Sequence, residues 1–292
     1  MFYAGILTKL TELFIAIVTI FTSIYPGAYV KANPMPEMDP QADVRVVSFN
    51  LRCTGLGTTS VEYRAPLLSA QLKECDADSM GFQEANLEWL KLLEADLTDY
   101  AYVGRTRADG EVLGEASPVF YKKDKYNLLD YGTIWLSKTP DKVGSKDWGS
   151  QNIRVCTWAL LENKETLQSY VHINTHLDHI SQKARLEQMK VLLTKVNEFR
   201  ENYPVVVTGD FNDYVDSPMY NEAVTVLRDS REIAPVTDNK PTYHNYGTKK
   251  ELIDFVFVNN KVTPLVYHVI DDQILGAYLS DHFGIYVDLK LG

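Results

Sequence analysis

The sequence predicts an α/β fold in which mixed, mainly antiparallel sheets carry helices on their outer faces. Apolar runs of strand length outnumber helical patterns, and several of these runs follow one another with no helix between them. That succession is not the strict strand–helix alternation of a wholly parallel sheet. The 292 residues exceed the ~100–200 of a typical domain, but no second boundary is visible within 43–292. One large domain over 43–292 is therefore expected.

Composition places the chain among soluble globular proteins. Hydrophobic residues make up 45% and charged residues 23%, which excludes collagen-like, disordered and multi-span membrane classes. The 29 basic against 39 acidic side chains give a net charge of −10, so the molecule as a whole repels phosphate polyanions. A phosphate-binding function would require a local reversal of that sign.

The N-terminal segment has the features of an export signal. An apolar run at 13–21 follows Lys9 and precedes Pro26-Gly27, and it is shorter than the ~20 apolar residues of a membrane span. Val30 and Ala32 predict cleavage after residue 32. We expect a signal peptide over 1–32, an exposed proline-containing lead-in over 33–42, and a periplasmic or extracellular mature protein without an integral membrane span. A buried helix or an uncleaved anchor is the alternative.

The three cysteines give no sign of a covalent or zinc framework. Cys53, Cys75 and Cys156 are odd in number and show no C-x-x-C spacing. They are best interpreted as small buried hydrophobic residues.

The individual elements follow from two periodicities. Runs rich in β-branched and aromatic residues predict strands at 44–49, 117–121, 157–161, 169–175, 205–208, 252–258 and 285–289. Between 184 and 201, apolar residues recur at steps of three and four and predict a helix with one buried face. Two further helices are expected, one around 67–72 and one over 86–97.

Polar side chains stand at or near the edges of six apolar runs. They are Asn50, Glu84, His176, Asp210 with Asn212, Asp254, and Asp281 with His282. Each has an ordinary structural explanation by itself; Glu84, for example, suits the N-terminus of the following helix. Together they indicate one site assembled from distant segments, because the ends of strands in a rigid sheet hold side chains precisely.

These residue types suit metal-assisted hydrolysis of phosphate esters. Carboxylates such as Glu84 and Asp281 are hard oxygen ligands of the kind that Mg²⁺ or Mn²⁺ prefers. Asp210 is placed to align or deprotonate an attacking water, and histidines can neutralise phosphate oxygens.

Other chemistries have weaker support. His172, His176 and His179 are close in sequence, but their segment alternates as a strand and no H-E-x-x-H helix motif occurs, so a zinc site is disfavoured. No G-x-S-x-G nucleophile motif and no glycine-rich phosphate loop is found.

Six short motifs resemble those of the endonuclease/exonuclease/phosphatase superfamily, the DNase I-like enzymes. They occur in the order of that family across 43–292: Ser48-Phe49-Asn50, Gln83-Glu84, Asn174-Thr175-His176-Leu177, Gly209-Asp210-Phe211-Asn212, Ile253 to Val258, and Ser280-Asp281-His282. The resemblance implies a four-layer α/β/β/α sandwich of two face-to-face sheets. It also implies a metal-dependent phosphoesterase site at one end.

The resemblance further implies individual roles. The implied metal ligands, for Mg²⁺ or Mn²⁺, are Glu84, Asp281 and Asn50. The implied catalytic residues are Asp210 on the nucleophilic water, Asn212 and His282 on the phosphate, Asp254 orienting His282, His176 as a second histidine, and Glu115 as an acid paired with His176.

The substrate is left open among phosphate esters. Motifs at 132–137, 148–149, 175–179 and 184–185 resemble those of an often exported bacterial subgroup. Arg107, Trp148 and Arg185 are candidates for the substrate mouth, although an exposed arginine or a packed tryptophan is the more common case. Nucleic acid, a phospholipid head group and a sugar or inositol phosphate all remain candidates, although the missing basic stripe weakens the duplex DNA hypothesis. No stable protein partner is indicated. A non-catalytic binding protein that retains the fold is the competing hypothesis.

Overall fold

The structure, a computed structural model, describes residues 30–292. Most of the predicted signal peptide therefore lies outside the described residues. No helix within 30–292 combines the length and the hydropathy that a membrane crossing requires.

The described chain forms two large sheets and a small hairpin. In chain order the strands are β1 (Val44–Asn50), β2 (Ser79–Gln83), β3 (Tyr100–Val103), β4 (Val119–Lys122), β5 (Tyr126–Trp135), β6 (Val155–Asn163), β7 (Ser169–His176), β8 (Val205–Asp210), β9 (Arg228–Asp229), β10 (Val236–Thr237), β11 (Asp254–Val258), β12 (Val262–Ile270), β13 (Gln273–Ile274), β14 (Ala277–Tyr278) and β15 (Gly284–Leu291). The helices are α1 (Val61–Cys75), α2 (Leu87–Asp96), α3 (Gln182–Phe199), α4 (Pro218–Ala223) and α5 (Ser230–Ile233).

Three apolar cores separate four layers. The first sheet has the order β10-β12-β15-β1-β2-β4-β3 and the second has the order β5-β6-β7-β8-β11-β9. Helices α1 and α2 pack on the outer face of the first sheet, while α3 and α4 cover the second. A third core joins the facing sheets. The predicted α/β/β/α sandwich is thus confirmed.

The alternating side-chain directions along β8 show why a strand buried on both faces is apolar along its whole length. Val205 and Val207 pack under the helices, whereas Val206 packs between the sheets. Successive side chains of a strand point to opposite faces, and here both faces are buried. The result is a continuous apolar run rather than an alternating one.

Helix α3 matches its predicted stripe closely. It begins two residues before the predicted start, where the Ser181 hydroxyl accepts a hydrogen bond from Ala184 N at 3.1 Å. Met189, Leu193 and Val196 are buried in the second sheet's outer core. The amphipathic pattern therefore located the helix correctly, and the cap determined where it begins.

Two long strands, β5 and β12, were not among the expected runs. Strand β5 lies at a sheet edge, carries exposed residues and has a register shift between Leu128 and Asp130. Strand β12 contains Pro264, beside another register shift. Proline is tolerated at such a bulge, and half-exposed edge strands lack a strong apolar pattern.

The strand directions collect the polar ends at one end of the sandwich. Strands β1 and β2 run parallel with Asn50 opposite Gln83, and β7 and β8 run parallel with His176 opposite Asp210. Strand β11 is antiparallel to β8, so its first residue, Asp254, also lies opposite Asp210.

A line of buried polar side chains crosses the interface between the sheets. His172 contacts Ser79 Oγ through Nδ1 and Thr208 Oγ1 through Nε2, both at 2.8 Å. Asn174 Oδ1 accepts hydrogen bonds from Gln83 Nε2 at 2.7 Å and from Thr208 Oγ1 at 3.0 Å. These bonds fix the register of one sheet against the other, because each buried polar group must find its own partner.

The lead-in over 33–42 has no helix or strand, yet it is attached to the domain. Asn33 exchanges two hydrogen bonds with the Gln71 side chain of α1, and Asp39 N donates to Asp288 Oδ2 at 2.9 Å. Several of its residues are half-buried, so the segment is less exposed than expected.

Candidate active site

A cavity of about 470 Å³ opens at the end of the sandwich where the polar strand ends meet. The predicted site residues that line it are Glu84, Glu115, His176, Asp210, Asn212, Asp281 and His282. Asn50 and Asp254 lie behind this lining and hydrogen-bond to Asp210 and His282 respectively. The cavity therefore joins residues from both sheets.

Glu84 occupies the turn that follows β2. Its φ of 58° lies in the left-handed region, which is unusual for a residue other than glycine. Its Oε2 accepts a hydrogen bond from Cys53 N at 2.9 Å. Burial alone would raise the pKa of Glu84, but the Cys53 donor and the Arg52 guanidinium lower it below the ordinary value. Glu84 is thus an ionised carboxylate at the cavity wall.

Asn50 connects the two carboxylates nearest to it. Its Nδ2 donates to Asp210 Oδ2 at 2.8 Å and lies 3.4 Å from Glu84 Oε1, while its Oδ1 accepts from Arg52 N at 2.9 Å. The amide oxygen keeps a second lone pair beside this contact, so the expected ligand role of Asn50 stays a prediction. As hydrogen-bonded here, Asn50 positions Glu84 and Asp210.

Asp281 is buried and incompletely satisfied. Its Oδ2 lies 3.6 Å from Arg52 Nε, and its Oδ1 accepts from Ser280 Oγ at 3.3 Å. Asp281 lines the same cavity as Glu84, and carboxylate oxygens with such long partners fit a hard divalent cation. Glu84 and Asp281 are therefore the residues suited to hold Mg²⁺ or Mn²⁺.

His282 and Asp254 form a buried ion pair. His282 Nδ1 lies 2.9 Å from Asp254 Oδ2, and its Nε2 lies 3.7 Å from Asp210 Oδ2. Burial lowers the pKa of His282, but the charges of Asp254 and Asp210 outweigh it and raise the pKa to about 10. Although these three residues could also be considered as metal ligands, their polar atoms are directed at one another. They are better described as an ion-paired relay, in which only the contact between His282 and Asp254 is a hydrogen bond.

Asp210 lies at the centre of the site. Its Oδ2 is held by Asn50 and lies 3.5 Å from His176 Nε2, while its Oδ1 accepts from Asn212 N at 2.9 Å. Burial, followed by repulsion from Asp254, raises the pKa of Asp210 above its ordinary value. A carboxylate with a raised pKa suits proton transfer at neutral pH.

The expected pairing of Glu115 with His176 is not present. The Glu115 carboxylate instead accepts from Arg107 NH2 at 2.7 Å, because a guanidinium attracts a carboxylate more strongly than a neutral imidazole does. Burial and the positive charges of Arg154 and Arg107 hold the pKa of His176 well below its usual range. His176 Nδ1 is buried without a partner among the described residues.

Four cationic side chains line the cavity, and only Arg107 was expected there. The others are Arg52, Arg154 and Lys249. Arg154 is 3% exposed and has no carboxylate partner among the described salt bridges. Its NH2 lies 3.2 Å from His179 Nδ1. Arg107, Arg52 and Lys249 are each paired with an acid, so Arg154 is the member of this group that supplies local positive charge against the net charge of the chain.

Arg154 directly precedes β6, so the pattern of polar residues at strand ends would have identified it if strand starts were included. Arg185 and Trp148, expected near the mouth, are not among the lining residues. Arg185 is instead bound to Asp213 at 2.9 Å.

The mouth of the cavity carries two tyrosines and a neutralised ion pair. Tyr214 OH donates to Glu251 Oε2 at 3.0 Å, and Lys249 Nζ lies 3.1 Å from Glu251 Oε1. The Tyr243 ring lies 4.7 Å from the His282 ring, centroid to centroid. Within the described part of the chain, the mouth therefore offers aromatic faces and a paired lysine rather than an unpaired one.

Comparison with known proteins gives a consistent result. A sequence model of the endonuclease/exonuclease/phosphatase family matches residues 47–282. The chain is 23% identical over 241 residues to the CCR4-Not complex 3'-5'-exoribonuclease subunit Ccr4 of Candida albicans, which covers 66% of this chain and 30% of that protein. It is 22% identical over 311 residues to Nocturnin of Drosophila melanogaster, covering 85% and 47%. The chain thus spans less than half the length of these curated relatives.

Solved structures are more similar. An endonuclease/exonuclease/phosphatase from Bacteroides vulgatus has 33% identity and a TM-score of 0.82, covering 85% of this chain and 99% of that one. The mannosyl-6-phosphatase of Bacteroides thetaiotaomicron has 32% identity and a TM-score of 0.79, with the same coverage.

Proposed function

Because the chain belongs to the endonuclease/exonuclease/phosphatase family, we propose that it hydrolyses a phosphate ester by in-line attack of water, assisted by Mg²⁺ or Mn²⁺. The observation that carries the proposal is the convergence of Glu84, Asp281 and Asp210 on one cavity with the cationic His282. This reaction needs carboxylates that bind a metal ion, a base that takes a proton from water, and a cation that binds the phosphate.

The metal centre would be held by Glu84 and Asp281. A divalent cation bound there offsets the negative charge of the phosphate oxygens and lowers the barrier to attack by water. Arg52, whose guanidinium lies 3.6 Å from Asp281 Oδ2, balances the two carboxylates from the solvent side.

Asp210 would accept the proton of the attacking water. Hydrogen bonds from Asn50 and from the backbone N–H of Asn212 fix both of its oxygens, so little reorganisation is needed. Neutral His176 offers its Nε2 at 3.5 Å, as a partner for Asp210 or for a phosphate oxygen.

In its cationic form, His282 would bind the reacting phosphate. Asp254 fixes the ring through Nδ1 and leaves Nε2 directed toward Asp210 and the cavity. Asn212 Nδ2 donates to the Leu177 carbonyl at 3.1 Å, and this bond fixes the side chain of Asn212 close to Asp210. A preorganised cation in a buried site stabilises developing charge better than solvent does.

A small phosphorylated sugar is the substrate class that the mouth favours. Among the described residues at the mouth, Lys249 is paired with Glu251 and leaves no unpaired cation there for a second phosphate beyond the reacting one. Tyr214 and Tyr243 offer apolar ring faces beside hydrogen-bonding groups, which suits an uncharged polyhydroxyl leaving group. Similarity to the mannosyl-6-phosphatase of Bacteroides thetaiotaomicron, at 32% identity, supports this choice.

Hydrolysis of nucleic acid is the second candidate. It is favoured by the similarity to a protein named as an exoribonuclease, and Tyr214 and Tyr243 would then stack on bases. The net charge of −10 counts against it, because polyanion binding relies on phosphate neutralisation.

The test is a metal-supplemented substrate screen. Protein comprising residues 33–292 is incubated with mannose 6-phosphate, glucose 6-phosphate, an oligoribonucleotide, plasmid DNA, sphingomyelin and a phosphoinositide, with Mg²⁺, Mn²⁺ or EDTA. We expect hydrolysis of a sugar phosphate that EDTA and Asp210→Ala both abolish. Activity that survives both changes refutes the mechanism. Tight binding without turnover in any metal would identify the chain as a binding protein.

We also propose that the protein is exported, on the strength of the apolar run at 13–21 and the small residues before 33. Expression of the full chain in a bacterial host should yield a mature N-terminus at Asn33. An intact Met1 on the recovered protein would contradict cleavage.

A further inference from the structure

We infer that Arg64 is a positioning residue, whose guanidinium joins the loop after β1 to the segment before Asp281 and thereby sets the affinity of the proposed metal centre. The inference rests on the proposed function, since it concerns the residues proposed to bind the cation. Arg64 itself lies in α1, outside the cavity lining.

The side chain of Arg64 is completely buried and bonds to carbonyl groups rather than to an acid. Its exposed fraction is 0%. Its Nε donates to the Thr59 carbonyl at 2.8 Å, and its NH1 donates to the carbonyl groups of Leu51 at 2.5 Å and Leu279 at 2.9 Å. Its NH2 donates to the Arg52 carbonyl at 2.6 Å. Three separate segments of the chain therefore meet at one guanidinium.

This arrangement is costly for stability and needs a reason. A buried cation without a carboxylate is less favourable than an apolar side chain of similar size. No acidic partner of Arg64 occurs within the described residues. The planar fork of five N–H donors can hold several carbonyl groups at fixed positions at once, which no apolar residue can do.

The first segment held by Arg64 directs an N–H group at Glu84. Arg52 has a φ of 55°, a left-handed conformation, and its carbonyl also accepts from Trp89 Nε1 at 3.0 Å. With the Arg52 carbonyl held by two donors, the next N–H group, that of Cys53, points at Glu84 Oε2 at 2.9 Å. Release of this turn would remove the backbone donor that orients the Glu84 carboxylate.

The second segment leads to Asp281. The Leu279 carbonyl, bonded to Arg64, lies two residues before Asp281. The side chain of Arg52, on the first segment, lies 3.6 Å from Asp281. Arg64 thus fixes the distance between the two carboxylates proposed to share the cation. Outer partners that orient metal ligands typically alter metal affinity by about 10- to 100-fold when they are changed.

The conservative variant Arg64→Lys tests the inference. Lysine keeps the charge but has three donors on a single atom, so it cannot hold four carbonyl groups. Binding of Mn²⁺ to the metal-free protein is measured by calorimetric titration, without substrate. We expect the dissociation constant to rise about 10- to 100-fold.

Arg45→Lys is the matched control. Arg45 is also a buried arginine, 2% exposed, but it belongs to β1 and is paired with Asp288, away from the cavity lining. We expect its Mn²⁺ dissociation constant to stay within about threefold of the wild-type value. An unchanged constant in Arg64→Lys, or an equal rise in both variants, would overturn the inference.

The Cys53 thiol gives a second readout that needs no metal. Cys53 is half-buried, whereas Cys75 and Cys156 are 1% and 0% exposed. Alkylation of Cys53, located by peptide mapping, should be several-fold faster in Arg64→Lys and unchanged in Arg45→Lys. Equal alkylation rates in wild type and Arg64→Lys would show that Arg64 does not hold the loop after β1. If wild-type protein binds neither Mn²⁺ nor Mg²⁺, the metal-dependent function itself fails, and the thiol rates still decide whether Arg64 holds the loop.

Discussion

His282 Nδ1 lies 2.9 Å from Asp254 Oδ2, although His282 precedes a strand of the first sheet and Asp254 begins a strand of the second. The hydrogen bond from Asn50 to Asp210, at 2.8 Å, joins the two sheets in the same way. The candidate site is therefore a property of the sandwich, and neither sheet contains it alone. Packing of the sheets and assembly of the site are one event.

Asp254→Asn should lower kcat/KM by about 10²- to 10³-fold, because an amide cannot hold His282 in its cationic form. His282→Gln should have a similar effect, and the double variant should be little worse than either single variant. Steady-state kinetics with the best substrate of the screen measures this. Asp213→Asn is the control, since Asp213 is a buried acid bound to Arg185 outside the cavity lining. Activity of Asp254→Asn within threefold of wild type would contradict the relay.

Glu84→Gln should raise the half-saturating Mn²⁺ concentration by at least about 10-fold, because an ionised oxygen ligand becomes a neutral amide. Removal of metal with EDTA should abolish wild-type activity, and added Mn²⁺ should restore it. Glu115→Gln serves as the comparison, since Glu115 lines the same cavity but is paired with Arg107. If both variants need the same Mn²⁺ concentration as wild type, Glu84 is not a ligand.

His172 should make the fold sensitive to acid. Burial lowers the pKa of His172 to about 3, below its ordinary value of 6.5. Between pH 6.5 and pH 3, His172 is therefore protonated in the unfolded chain but neutral in the folded chain. The contribution of His172 to the free energy of unfolding is constant above pH 6.5 and decreases as the pH falls below that value. The loss from this residue approaches about 1.4 kcal/mol per pH unit.

Urea denaturation of wild type and His172→Gln at pH 7, 6, 5 and 4.5 tests this expectation. His176 also has a lowered pKa, so the difference between the two proteins isolates His172. If the free energy of unfolding depends on pH identically in wild type and His172→Gln, the pKa of His172 is not lowered by folding.

Gly81→Ala should destabilise the contact between the sheets by about 1–3 kcal/mol. A Cβ at position 81 would lie 2.2 Å from Thr208 Oγ1 and 2.7 Å from the Asn174 side chain, both on the facing sheet. The free energy of unfolding is measured by urea titration. In the double variant Gly81→Ala/Thr208→Ala the destabilisation should be less than the sum of the two single effects. If the two changes in the free energy of unfolding add exactly, positions 81 and 208 do not interact.

The family motifs and the buried elements could be predicted from the sequence because their signals are local. Helix α3 has its apolar stripe and its serine cap within a single segment, and β8 is a continuous run with both faces buried. Strand β5 has neither signal, since its exposed edge tolerates polar residues and a register shift. Predictions therefore succeeded where burial leaves a pattern and missed where it does not.

By itself, the sequence determined the fold class and the set of residues that chemistry would need, because apolar periodicity and strand-edge motifs are written along the chain. Only the tertiary structure decided which groups contact one another. It pairs Glu115 with Arg107 instead of His176, turns the Asn50 amide toward Asp210, and places Arg154, which has no acidic partner within residues 30–292, in the cavity. These outcomes depend on distances between segments far apart in the chain, where electrostatic competition among several possible partners is resolved only after the two sheets have packed.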